Sequence, residues 1–257
     1  MAKNFLQLPR QHGAYAILLI PLTAGLVEAA NFTWGQVALT GAWISAYLSF
    51  YQLSLYWKTR SPRRQNYRAP LFAYLLGTAL FSALTLWARG WGLLGWAAIL
   101  AAPGIGALYC LKTHAERSVR SGAFTTFVSC TMALVAAYPT PAAWLAADSA
   151  VFTCEILATF GYFFGSVLHV KALIRERGQR SARQRSLVWH LFSLLVISAL
   201  YYFQLLSWIW ILYAGIWLGR TALLLYIDRR RPRRLPARKI GITEMLCCLP
   251  LWATLLF

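Results

Sequence analysis

Lys171-Ala172-Leu173-Ile174-Arg175-Glu176-Arg177-Gly178-Gln179-Arg180-Ser181-Ala182-Arg183-Gln184-Arg185 carries six Lys and Arg in fifteen residues, between apolar runs over 143–169 and 187–205. A basic segment this short, between two runs long enough to cross a bilayer, reads as a loop held on the cytoplasmic face. Moving Lys and Arg across the membrane is unfavourable. Outward from it the pattern repeats. Of 25 Lys and Arg, 23 fall in five segments: the N-terminus, 58–68, 112–120, 171–185 and 229–239. Between these, the connections hold only Arg89, and Arg220 lies inside an apolar run. The alternation predicts nine spans, over 14–30, 36–57, 70–88, 91–111, 121–138, 143–169, 187–205, 207–227 and 241–257. The expected fold is an all-α polytopic bundle with its N-terminus cytoplasmic and its C-terminus outside. The separator at 204–207 is thin, but without it the basic segment 229–239 would fall on the wrong side.

Composition excludes the other readings of so basic a chain. A formal charge of +18 would ordinarily raise nucleic acid as a partner, but 59% of residues are hydrophobic and the charge sits in loops. The expected partners are membrane lipids and the anionic cytoplasmic leaflet, with no nucleic acid. The first apolar run continues as a full span with no cleavage site, so no signal peptide is expected. The connections are too short for a soluble domain, which gives a single transmembrane domain over 1–257. Cys110, Cys130, Cys154, Cys247 and Cys248 have no metal-binding spacing and read as packing residues. Pro21, Pro103 and Pro250 interrupt spans, which membrane helices tolerate when neighbours satisfy the freed carbonyls.

Ionisable groups inside spans mark function or pairing. Glu155 lies about half-way along span six and Arg220 inside span eight, so an intramembrane Glu155–Arg220 pair is expected. The cytoplasmic ends hold a denser polar set that includes all four histidines: His12, His114, His169 and His190. The candidate ligand-binding residues are Arg10, His12, Gln52, Tyr56, Arg68, Glu116, Arg117, His169, Lys171, Arg175 and Glu176, with Arg177, Arg185 and Glu244 nearby. At α-helical spacing Leu168, Lys171 and Arg175 share a face, so the two cations point together and suit phosphate or carboxylate. No H-x-x-E-H or E-x-x-H spacing appears, so no metal site is expected, and no G-x-S-x-G supports a serine nucleophile.

Pro9-Arg10-Gln11-His12-Gly13-Ala14 and Leu168-His169-Val170-Lys171-Ala172-Leu173-Ile174-Arg175-Glu176-Arg177 resemble the YwiC-like family of bacterial membrane proteins. Tyr67-Arg68-Ala69-Pro70 and Glu116-Arg117-Ser118 fit the same family. That resemblance implies an architecture in the bacterial cytoplasmic (inner) membrane, with no established activity. More distantly, the layout resembles the UbiA superfamily of intramembrane prenyltransferases, which implies a cavity opening toward the cytoplasm beneath the loops after helices two and six. Those transferases hold Mg²⁺ on two Asp-rich motifs. This chain has no Asp or Glu between Glu28 and Glu116, and only Glu176 in the second region. One carboxylate among several cations does not assemble a Mg²⁺ site. No cofactor is expected, Mg²⁺ included.

Three functions follow. In the first, a cytoplasm-facing basic cavity binds an anionic or isoprenoid, quinone-type lipid, with Arg10, Arg68, Lys171 and Arg175 meeting the charge and His12, Gln52 and Tyr56 as neutral partners. Such a site could also be an enzyme, with Arg and Lys stabilising a leaving diphosphate. The second is a transporter or lipid translocator. The third is a structural or assembly subunit of a membrane respiratory complex.

Overall fold

Apolar runs of this length have one stable backbone solution in lipid, a helix whose N–H and C=O groups satisfy each other. The structure is a computed structural model and describes residues 8–9, 12–60, 62–230 and 236–256, with His12 described in its backbone alone. The described residues form helices and contain no strand. The helices are α1 His12–Glu28, α2 Trp34–Lys58, α3 Arg68–Arg89, α4 Leu94–Lys112, α5 Val119–Ala137, α6 Pro141–Ala146, α7 Ala150–Val170, α8 Arg180–Tyr202, α9 Trp208–Arg230 and α10 Ala237–Leu256. Seven helical stretches are long and apolar enough to cross a membrane: Arg63–Arg89, Trp91–Lys112, Val119–Ala137, Ala150–Arg175, Arg180–Tyr202, Trp208–Arg230 and Ala237–Leu256. α1 is apolar but shorter. α2 is long, but Gln36, Ser49, Gln52 and Ser54 interrupt its apolar character, all of them buried.

The outward surface confirms the solvent. Along α3, Phe72, Leu76, Leu80, Leu84 and Trp87 form one exposed apolar stripe, and α8 exposes Val188, Leu191, Phe192 and Leu195. Faces of this kind would be an aggregation hazard in water and are the ordinary surface of a protein in lipid. Exposed Trp34, Trp87 and Trp91 sit at helix ends away from the basic segments, as do Tyr202 and Trp208. Aromatic residues gather at the membrane–water boundary in this way. The chain is a multi-pass membrane protein.

The chain divides into two compact units, Met1–Ala147 and Asp148–Phe257. In the first, α2 packs on α3, and α5 packs on both α1 and α4. The α1–α5 contact is backbone to backbone: a Cβ on Gly25 would lie 2.0 Å from the Ala133 carbonyl oxygen. Pro21 lacks the N–H that would satisfy the Ile17 carbonyl four residues earlier. The Ser129 hydroxyl of α5 donates to that carbonyl at 2.5 Å, so a neighbouring helix completes α1 at its kink. Arg89, the lone basic residue of the bland connections, caps the end of α5. Its guanidinium donates to the Val135 and Ala136 carbonyls at 2.7 and 3.1 Å.

In the second unit α7 packs on α8, α8 on α9, and α7 on both α9 and α10. The thin separator at 204–207 is a true break between helices. Gln204 adopts φ 59°, the Leu205 N–H donates to the Leu200 carbonyl and the Gln204 N–H to that of Tyr201. That double return is the Schellman helix stop. α4 ends identically on His114 at φ 56°, with Ala115 bonded to Cys110 and His114 to Leu111. Two expected boundaries change. The span expected over 143–169 divides into α6 and α7, because Pro141 opens a short helix capped by Thr140, and Ala147 is extended. α8 begins at Arg180, inside the basic segment.

Candidate functional site

The eleven candidate ligand residues fall in both units. Arg10 lies outside the described residues, as does the His12 side chain. In the first unit Gln52 is fully buried in α2, while Arg68 and Arg117 are exposed. The Arg64 guanidinium lies over the Tyr56 ring at 5.0 Å. Glu116 pairs with Lys58 at 2.8 Å, joining the end of α2 to the loop after α4. Burial raises the Glu116 carboxyl, but the hydrogen bond and charge of Lys58 outweigh it and hold that carboxyl below its ordinary value.

In the second unit three of the six cations of the basic segment meet an acid. Lys171 lies 3.1 Å from Glu176, which also takes Arg185 at 2.7 Å, and Arg177 pairs with Asp228 at 2.9 Å. The expected shared face of Lys171 and Arg175 is not formed. Residues Lys171–Arg175 make a π-helical turn, closed by the Glu176 N–H on the Lys171 carbonyl at 2.8 Å. The wider turn breaks the α-helical phase, leaving Lys171 buried and Arg175 exposed. Glu176, a candidate ligand residue itself, is the partner of Lys171.

The expected Glu155–Arg220 pair is also replaced. Arg220 Nη1 lies 2.6 Å from Glu244 Oε1 of α10. Glu155 is five residues into α7 and lines an open cleft of about 550 Å³ with Val151, Tyr201, Gln204 and Ser207. Arg220 sits twelve residues into α9, so the two lie at different depths.

Around the Arg220–Glu244 pair a polar layer closes. His169 Nε2 is 3.9 Å from Glu244 Oε1, and the Ser166 hydroxyl donates to Glu244 Oε2. The Tyr162 hydroxyl donates to the Glu244 carbonyl at 3.1 Å. His190 contacts the Ser186 carbonyl through Nδ1 at 2.7 Å and Thr221 Oγ1 through Nε2 at 3.2 Å. The two histidine rings are 6.4 Å apart. These groups come from α7, α8, α9 and α10, each six to ten residues from the end of its helix that carries a basic segment for His169, His190, Arg220 and Glu244. At 1.5 Å per residue that is one layer roughly 9–15 Å deep.

The layer is short of hydrogen-bond partners. The Arg220 side chain is 10% exposed and His169 is fully buried. Arg220 Nε and Nη2, both His169 ring nitrogens and Ser186 Oγ have no hydrogen-bond partner and are closed to solvent. The Arg220–Glu244 approach is itself a charge contact rather than an aligned hydrogen bond, since Nη1 and Oε1 also lack hydrogen-bond geometry. Among the described residues no three His, Cys, Asp or Glu come together as metal ligands.

The family model of the YwiC-like protein matches residues 8–137, half of the chain. The chain belongs to this family. It is similar to the uncharacterised protein YwiC of Bacillus subtilis (strain 168), at 26% identity over 191 residues, 72% of this chain and 74% of that protein. No solved structure matches. The matched YwiC-like region falls in the first unit, so the buried layer of the second lies beyond it. Tyr162, Ser166, Ser186 and Thr221 were not among the candidates read from sequence. For Tyr162 and Ser166 the signal was a polar stripe, Tyr162-Ser166-His169 at helical spacing, on an otherwise apolar helix.

Proposed function

We propose that this YwiC-like protein is a nine-crossing protein of the bacterial cytoplasmic membrane, with its basic loops inside, that takes the polar head of a lipid-like ligand at Arg220, Glu244 and His169. The class of ligand is anionic or isoprenoid, quinone-type. One observation supports this: beyond the Arg220–Glu244 contact, Arg220 Nε and Nη2 and the His169 ring are buried without an aligned hydrogen bond. An Arg at the centre of a membrane helix is unfavourable by about 2.5–3.5 kcal/mol on the mildest scale. Each buried polar group left without a partner costs about 1–3 kcal/mol more. A ligand head carrying acceptors would engage the donors that the Arg220–Glu244 pair leaves over. The loop cations hold the anionic leaflet and set topology, because Glu176 and Asp228 already engage Lys171, Arg185 and Arg177.

The layer is closed to solvent, so a ligand reaches it when the helices of the second unit part. That occlusion favours a second reading, a transporter or lipid translocator, in which the parting alternates between the two sides. Native mass spectrometry of the gently solubilised protein tests the first reading. A specific lipid should leave the wild type and be missing from the Arg220→Gln/Glu244→Gln variant, while the exposed Arg63→Gln variant keeps it. Bulk phospholipid alone, the same in all three, would remove the ligand site and bring transport and assembly roles forward.

A further inference from the structure

We infer that the head taken by this layer is uncharged and rich in hydrogen-bond acceptors, a carbonyl of the quinone type, rather than a phosphate or diphosphate. The inference rests on the ligand site proposed above and deepens it.

Charge decides first. The elements around the layer contribute His169, Ser166 and Tyr162 from α7, His190 and Ser186 from α8, Arg220 and Thr221 from α9, and Glu244, Cys247 and Cys248 from α10. Only Arg220 and Glu244 among these carry formal charge at neutral pH with the histidines neutral, and they cancel at 2.6 Å. A phosphate would bring uncompensated negative charge beside Glu244, at a depth where like charges are poorly screened. The Lys171 that follows α7 is already held by Glu176 at 3.1 Å.

Donor and acceptor count decides second. Arg220 Nε and Nη2 donate and never accept, and a neutral His169 adds one further donor. His190 is already engaged through both ring nitrogens. Against these donors the open acceptors of the layer are Glu244 Oε1, the second His169 nitrogen and Ser186 Oγ, so donors are in excess. A ring-borne carbonyl supplies acceptors without charge. The neighbours of the layer are aromatic and buried: Trp217, one turn from Arg220 on the same helix, packs on Tyr162 at 4.6 Å between centroids and on Tyr213 at 6.1 Å, an environment a planar ring shares.

The test uses the full chain in nanodiscs, with thermal unfolding followed against two probes. Duroquinone is chosen because its fully substituted ring does not add the chain's cysteines, and inorganic pyrophosphate represents the anionic head. Two variants accompany the wild type. Arg220→Gln/Glu244→Gln removes both charges together, and Arg220→Lys keeps the ion pair but loses the planar fork of donors. Duroquinone at ten times its dissociation constant should raise the wild-type Tm by about 3–6 °C. It should bind Arg220→Lys at least tenfold more weakly and leave the double variant unmoved, with pyrophosphate inert throughout. A saturable pyrophosphate shift that the variants abolish would overturn the neutral head and leave the ligand site standing. An equal duroquinone shift in all three proteins would overturn the inference as non-specific partitioning. If neither probe shifts Tm, the lipid released in native mass spectrometry decides. A quinone-type lipid missing from the double variant upholds the inference, a phosphate-headed one overturns it alone, and no variant-sensitive lipid overturns both readings.

Discussion

Ser129 shows how one side chain satisfies a carbonyl 112 residues away that a proline has left open. Pro21 removes a backbone donor from α1, and in lipid no water replaces it. Ser129→Ala should therefore destabilise the protein by about 0.5–2 kcal/mol, the range for interhelical hydrogen bonds and buried carbonyls in membranes. In a Pro21→Ala background, where residue 21 regains its N–H, the same change should have almost no effect. Denaturation of the four proteins closes the cycle, and an equal loss in both backgrounds would show that Ser129 acts by packing alone. At this scale the sequence was legible in part. Pro21 announced a carbonyl needing a partner, and Arg220 announced an intramembrane charge needing an acid. Neither partner could be read, because the answer depends on which helices meet. Glu155 was the acid nearest the middle of a span, yet Glu244, seven residues into α10, faces Arg220.

Among elements, the helix stops were the hardest to see. α4 and α8 end in the Schellman geometry with His114 and Gln204 at the left-handed position, where glycine is usual. A reader looking for glycine finds a thin separator at 204–207 and an unexplained histidine at 114. Replacing either residue by Gly should stabilise the protein by about 1 kcal/mol, by relieving a left-handed backbone on a side chain with a Cβ. Thermal unfolding should register each as a rise of about 2–4 °C for a chain of this size. A fall at Gln204, which lines the cleft beside Glu155, would mean that its side chain is engaged there. The π-helical turn at Lys171–Arg175 was equally hidden. Helical-face arithmetic assumes an unbroken 3.6-residue period, and one wide turn sent Lys171 inward and Arg175 outward.

Across the whole molecule, the helical class was legible because lipid imposes it on every apolar run, and basic segments punctuate those runs locally. The crossings of α1 and α2 are the part for which length and hydropathy are least decisive, since the seven qualifying stretches begin at Arg63. Reporter fusions after Asn31, Arg64, Lys112, Thr140 and Gln179 should read outside, inside, inside, outside and inside. If the fusion after Asn31 reads inside, α1 and α2 do not cross and the count falls to seven. The α1–α5 contact adds a matter of timing. α1 leaves the ribosome with the Ile17 carbonyl unsatisfied, and its partner hydroxyl is made 112 residues later. At about 5–20 residues per second, translation separates the two by roughly 6–22 s. During that interval α1 waits at the insertion machinery or in lipid, shielded by whatever stands there, and α2, α3 and α4 are delivered before it is claimed. The α1–α5 contact thus closes only after the helices between them in sequence are made, and a chain stalled before Ser129 holds a helix that nothing of its own can complete.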